Sequence, residues 1–242
     1  MRNCMRADLV RVLKKGSFRT MLIITMILVA ATGLPSIVGA KENTDTYFAF
    51  ITMLNNFSNL FIGIPVFLAV YSDDFKSRAM QTVIGFGVSR SKLIICRLLE
   101  VIIIVAMCYA ILSLEIFVLK LISGASTKVF LSCIKELWSS EIMMVADCSI
   151  CMIIVYVMQN ATLALVTYIL IESGAIGVML GLASMIPLLK NHNIQLGNFL
   201  PNYVVTKMME GEAFAFFVVI LGYIALPLYV TMKIFNSKEL EF

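Results

Sequence analysis

From Leu93 to Leu119 the chain runs for 27 residues in which only Arg97, Glu100 and Glu115 are charged. An α-helix needs about 20 predominantly apolar residues to cross the hydrocarbon of a bilayer, so a run of this length has no place in the core of a small soluble domain. Five other runs share its character. Together they predict an all-α integral membrane protein, a single transmembrane domain over residues 1–242, with spans at about 20–40, 48–71, 93–119, 141–158, 161–187 and 213–234. The third span is about 40 Å long at 1.5 Å per residue and is expected to tilt or protrude. The boundary between the fourth and fifth rests on Gln159 and Asn160 alone.

Composition points the same way. The chain is 60% hydrophobic and 14% charged, whereas a soluble domain has about a quarter of its residues charged to coat its surface. Six cysteines do not make a disulfide framework here. Cys96, Cys108, Cys148 and Cys151 lie in apolar runs, Cys4 in the basic N-terminus, and only Cys133 in a segment expected outside.

Ahead of the first span, residues 5–15 have the pattern of an amphipathic helix. Met5, Leu9, Val10, Val12 and Leu13 cluster on one side at 100° per residue, and Asp8, Arg11, Lys14 and Lys15 take the other, with Arg6 intruding. Such a helix, within residues 1–19, is expected to lie along the membrane surface, and Gly16 and Ser17 allow a turn into the first span. With the N-terminus inside, 13 of the 19 Lys and Arg residues fall in or beside inner segments. Lys and Arg concentrate on the cytoplasmic side of membrane proteins, so both termini are expected to be cytoplasmic.

The most informative connection is Ser72 to Lys92. Ser72 or Asp73 can cap a helix with acid in its first turn, where the helix dipole favours it. Phe75, Ala79, Met80, Val83 and Ile84 form its apolar half, and Ser77, Arg78, Gln81 and Thr82 its polar half, although Lys76 breaks the pattern. Gly85 is placed to end this helix and Ser89 to cap the next. The bland account is a solvated loop whose charge sets topology; the sharper one is a short cytoplasmic helix that docks a partner.

Three features in order carry a resemblance. They are the basic amphipathic helix before span one, the acidic-to-basic segment Asp73, Asp74, Lys76 and Arg78, and the Gly87-Val-Ser-Arg90 turn opening span three. In these, and in a short outer link between spans one and two and a long one before span six, the chain resembles the permease subunits of ABC-2-type ATP-binding-cassette transporters, especially peptide-antibiotic immunity and drug-efflux permeases. The resemblance implies a subunit of a prokaryotic cell membrane that pairs with a second permease subunit, identical or not. It also implies a separate ATPase subunit, with Asp73, Asp74, Lys76, Arg78 and Arg90 as coupling residues, and export of an antimicrobial peptide or hydrophobic drug. The chain has no G-x-x-x-x-G-K-[ST] phosphate-binding loop. ATP and magnesium are therefore expected in the partner ATPase, with no catalytic residue and no cofactor or metal on this chain.

Ionisable and amide groups inside spans are costly and point to polar pathways or interhelical contacts. Asp147 and Glu172 are the clearest ionisable cases, and Arg97 and Glu100, three residues apart, are expected to pair. Asn55, Asn59 and Gly63 form a polar, small-residue stripe spaced by four, able to hold helices together or line a substrate path. Gly177-x-x-x-Gly181 suggests close helix packing. Cys148-x-x-Cys151 supplies only two soft ligands, too few for zinc, and no basic patch suits nucleic acid. An alternative is a gradient-driven carrier using Asp147 and Glu172, or a membrane anchor without an ATPase, although no internal repeat of the kind many carriers show is evident.

Overall fold

The computed structural model describes residues 2–39, 58–72, 83–123, 126–186 and 195–237, all in helices or their links. Helix α1 (Arg2–Lys14) breaks at Lys15, and α2 (Gly16–Gly39) begins at once. Val12 is fully enclosed, with Leu9 and Leu13 packed beside it on the main core. The expected amphipathic face is shifted in one respect. Val10 is 43% exposed, while Asp8 turns inward to Arg97. A buried guanidinium draws the carboxylate out of its polar face.

Helix α3 (Ser58–Tyr71) is followed, beyond the undescribed residues 73–82, by a short turn at 83–88. Its cap differs from the expectation at Gly85. Gly87, with φ +86°, takes the left-handed position, Val88 N–H bonds to Val83 O at 3.4 Å, and Gly87 N–H bonds to Ile84 O at 2.9 Å. This is the double closure that ends helices at a residue free to take positive φ. Helix α4 (Arg90–Ser123) then starts behind Ser89, whose carbonyl accepts from Leu93 N–H at 3.1 Å.

Helix α5 (Thr127–Met158) is the central element, packed on α4, on α6 (Ala161–Glu172) and on the last helix. It starts 14 residues before the expected fourth span, so much of the expected outer connection is helix. Residues 127–140 contain no Gly or Pro to interrupt it, and the Ser126 side chain accepts from Val129 N–H at 3.4 Å to open it. Cys133, expected outside, is buried within this extension. The boundary at Gln159 and Asn160 stands where expected. Gln159 adopts φ 51°, and Asn160 Oδ1 accepts from Thr162 N–H and Leu163 N–H, each at 3.0 Å.

The fifth span is not continuous. Helix α6 ends at Glu172, Gly174 takes φ +75°, and α7 (Ala175–Ala183) departs at 70° to it. Gly177 and Gly181 sit on α7. A Cβ on Gly177 would approach only Leu200 Cδ1, at 3.2 Å, and one on Gly181 would meet nothing within 4 Å. Gly177 therefore closely approaches the residue that opens the helix Pro201–Met209, whereas Gly181 makes no close contact among the described residues. After a 3₁₀ turn (Leu196–Phe199), α8 (Pro201–Met209) packs on α5, and α9 (Ala213–Ser237) closes the bundle. Within α9, Val218–Ala225 widens to a π-helix just before Pro227. Proline cannot donate to the preceding turn, and a widened turn accommodates that loss.

Among the described residues, α4, α5 and α9 are long and apolar enough to cross a membrane, and α6 with α7 makes a fourth if the bent pair is one span. The apolar stretches Gly16–Ala31 and Ser58–Tyr71 are shorter, and residues 40 and 48–57 of the expected first and second spans lie outside the described residues. Three or four such helices are thus seen in place of the six expected. The outer surface of the bundle is apolar: Ile27, Leu114, Val178 and Leu221 are all more than half exposed. A water-facing bundle would bury these, so the chain is a membrane protein.

Candidate functional site

Helix direction decides which polar groups can meet. Tyr71 at the end of α3 packs edge-on against Tyr156 near the end of α5, with ring centroids 6.4 Å apart. Tyr156 in turn meets Phe235 near the end of α9 at 5.1 Å. Arg90, at the start of α4, lies 5.7 Å from the Phe235 ring and donates to Phe235 O at 3.0 Å, and Asn236 Nδ2 donates to Ser91 Oγ at 2.8 Å. The ends of α3, α5 and α9 therefore share one end of the bundle with the start of α4.

Helix α1 joins that end. Arg97 Nη1 lies 2.9 Å from Asp8 Oδ2 and 2.6 Å from Glu100 Oε2. The expected Arg97–Glu100 pair is present, and Asp8 is a third member that the sequence pattern assigns to the polar face of α1. Arg97 and Glu100 are both enclosed. A buried arginine needs carboxylates in good geometry to offset its desolvation, and two converge on it here. Arg90, a residue expected to couple to a partner, is engaged with the end of α9. Asp73, Asp74, Lys76 and Arg78 lie outside the described residues, as does Asn55.

Deeper in the bundle the remaining predicted residues come together. Asn59 of α3 is 1% exposed and is the hub. Its Nδ2 donates to Glu172 Oε2 at 3.0 Å, its Oδ1 accepts from Tyr109 Oη at 2.7 Å, and its backbone carbonyl accepts from Tyr168 Oη at 2.8 Å. Tyr109 also meets the Ser58 side chain. Glu172 and Asp147 meet side chain to side chain. Asp147 stands about 17 Å from the end of α5 at 1.5 Å per residue, enclosed in the bundle.

Gly63 explains how the cluster closes. A Cβ there would stand 1.8 Å from Tyr168 Oη and 2.5 Å from its Cζ. Only glycine lets α6 lay this tyrosine across α3, where Phe67 stacks on it at 6.0 Å between centroids. The stripe Asn59–Gly63 thus holds helices together, one of the two roles it suggests. Sequence reasoning misses Tyr109 and Tyr168. Both read as ordinary aromatic residues in apolar runs, and their one signal is that a buried phenol needs a hydrogen-bond partner.

The cluster offers carboxyl, amide and phenol groups in a dry interior beside a broken helix. Such a setting suits binding or relaying a proton, or holding helices in register. Cys148 and Cys151 are both buried, on the α5 side of the same region. Among the described residues, no three His, Cys, Asp or Glu side chains form a metal site. Neither a protein-family model nor any curated protein sequence matches the chain.

Proposed function

We propose that the chain is the permease subunit of an ATP-binding-cassette exporter, with six spans in a prokaryotic cell membrane and both termini cytoplasmic. A separate ATPase subunit hydrolyses ATP and docks on α1 and on the connection that carries Asp73, Asp74, Lys76 and Arg78. A second permease subunit completes the pathway, and the cargo is amphipathic, such as an antimicrobial peptide or a hydrophobic drug. One observation carries this reading: α1 and both flanks of the 72–90 connection meet at a single end of the bundle, tied by Asp8–Arg97 and Arg90–Phe235. A partner pressing on that end would move α1, α4 and α9 together.

A gradient-driven carrier is the second reading, favoured by the Asp147–Glu172 contact in the interior. Export of a cationic amphipathic peptide from cells carrying the chain and its native partners decides between them. The permease reading expects export to stop when ATP is depleted while the ion gradients are maintained. Export that continues under those conditions contradicts it.

A further inference from the structure

We propose that the joint between α1 and α2 holds an anionic phospholipid, its phosphate on Lys14 and Arg19 and an acyl chain along Ile23 and Ile27. The fold brings the two cations together. Helix α1 ends at Lys14, α2 starts at Gly16, and Arg19 Nη2 reaches back to donate to Lys14 O at 3.2 Å. The carbonyl groups that end a helix carry partial negative charge, which favours a guanidinium there. The bond uses one of the five guanidinium donors. Arg19 is thus set beside Lys14, and both residues are exposed.

Below the cations lies the other half of a lipid's chemistry. Residues 19, 23 and 27 follow one another at intervals of four on α2 and share one face. Ile23 is 55% exposed and Ile27 62%, with Ile24 and Leu28 exposed beside them. From Met21 to Ala31 the helix carries no charged residue. Ile27 stands about 12 Å from Arg19 along the axis at 1.5 Å per residue, within the length of an acyl chain. A positive charge above an apolar strip is the surface that a phospholipid completes, and basic side chains at helix ends reach the headgroups in this way.

The inward turn of Asp8 sharpens the charge. Asp8 is the only acidic residue among the first 41, and its carboxylate faces Arg97 at 2.9 Å and Arg11 at 3.5 Å. It is engaged away from the joint, and residues 9–41 bring no acidic group of their own. A zwitterionic headgroup carries a cation that Lys14 and Arg19 repel, whereas an anionic one offers them its phosphate alone. Each basic residue near a membrane surface favours anionic lipid by about fivefold. The inference rests on the apolar exterior of the bundle and stands whether or not an ATPase drives the protein.

Tryptophan quenching in vesicles tests the proposal, with Ile27→Trp as reporter in the full-length protein and its single native tryptophan removed by Trp138→Phe. The vesicles are phosphatidylcholine with a minor fraction of phosphatidylglycerol. Bromine is carried on the acyl chains of the phosphatidylglycerol or of an equal mole fraction of the phosphatidylcholine. Brominated phosphatidylglycerol should quench the reporter more strongly. That preference should fall by about fivefold or more in Lys14→Gln/Arg19→Gln, and should shrink as salt is added. A reporter placed instead by Leu114→Trp, on the exposed surface of α4, should show no preference. The salt series needs no charge variant, so a misfolded double variant does not end the test. Equal quenching by the two lipids, quenching by neither, a preference that survives in a folded double variant or in high salt, or the same preference at Leu114 would each overturn the proposal.

Discussion

Arg97 on α4 holds Asp8 on α1, with Nη1 2.9 Å from Oδ2. This contact ties α1 to the opening turns of α4, a helix long and apolar enough to cross a membrane. It turns α1 from a loosely adsorbed element into part of the bundle.

Arg97→Ala should therefore do more than free α1. It leaves Glu100, which is 0% exposed, without its guanidinium. Removing one partner of a buried pair costs about 3–5 kcal/mol. We expect a clear fall in the melting midpoint of the detergent-solubilised protein and faster tryptic cleavage at Lys14 and Lys15. Asp8→Asn should speed the cleavage with a smaller fall in midpoint. Unchanged cleavage in both variants would show that α1 is held by its apolar face alone.

Gly63 and Tyr168 should behave as a coupled pair. Gly63→Ala places a methyl group where the Tyr168 phenol stands, and overpacking of this kind costs about 1–3 kcal/mol. In Tyr168→Leu the phenol is gone, so adding Gly63→Ala should cost much less than it does alone. A double-mutant cycle on thermal stability reads this coupling. Additive effects would mean that α3 and α6 do not meet at these residues.

The link between α5 and α6 makes two opposite predictions. Asn160→Ala removes the acceptor for the Thr162 and Leu163 amides and should cost about 1 kcal/mol, the usual loss of a helix cap. Gln159→Gly should be neutral or slightly stabilising, because glycine takes the positive φ of 51° without a Cβ. Thermal melts of the two variants check both signs, and equal destabilisation would contradict the cap geometry.

What could be read in the sequence was what period and composition govern. The apolar runs locate the helices well enough to place α4, α5 and α9, and the interruption at Gln159 and Asn160 is where α5 ends. Asp147, Glu172 and Asn59 stand out because a polar group in an apolar run is costly, and the structure brings all three together. The 70° break after Glu172 is not legible, since Ser173-Gly174 in an apolar helix signals only a modest loss of propensity. Tyr109, Tyr168 and the inward turn of Asp8 are equally silent. Each depends on which face of one helix meets another, and that is set by pairing between distant segments.

The most direct test of the permease reading is affinity purification in mild detergent from cells expressing the native partners, followed by mass spectrometry of the bound proteins. The account predicts recovery of an ATP-binding subunit, lost when Asp73, Asp74, Lys76 and Arg78 are all changed to alanine in a chain that still folds and reaches the membrane. A preparation free of any ATPase, or an ATPase held equally well by the fourfold variant, would contradict it.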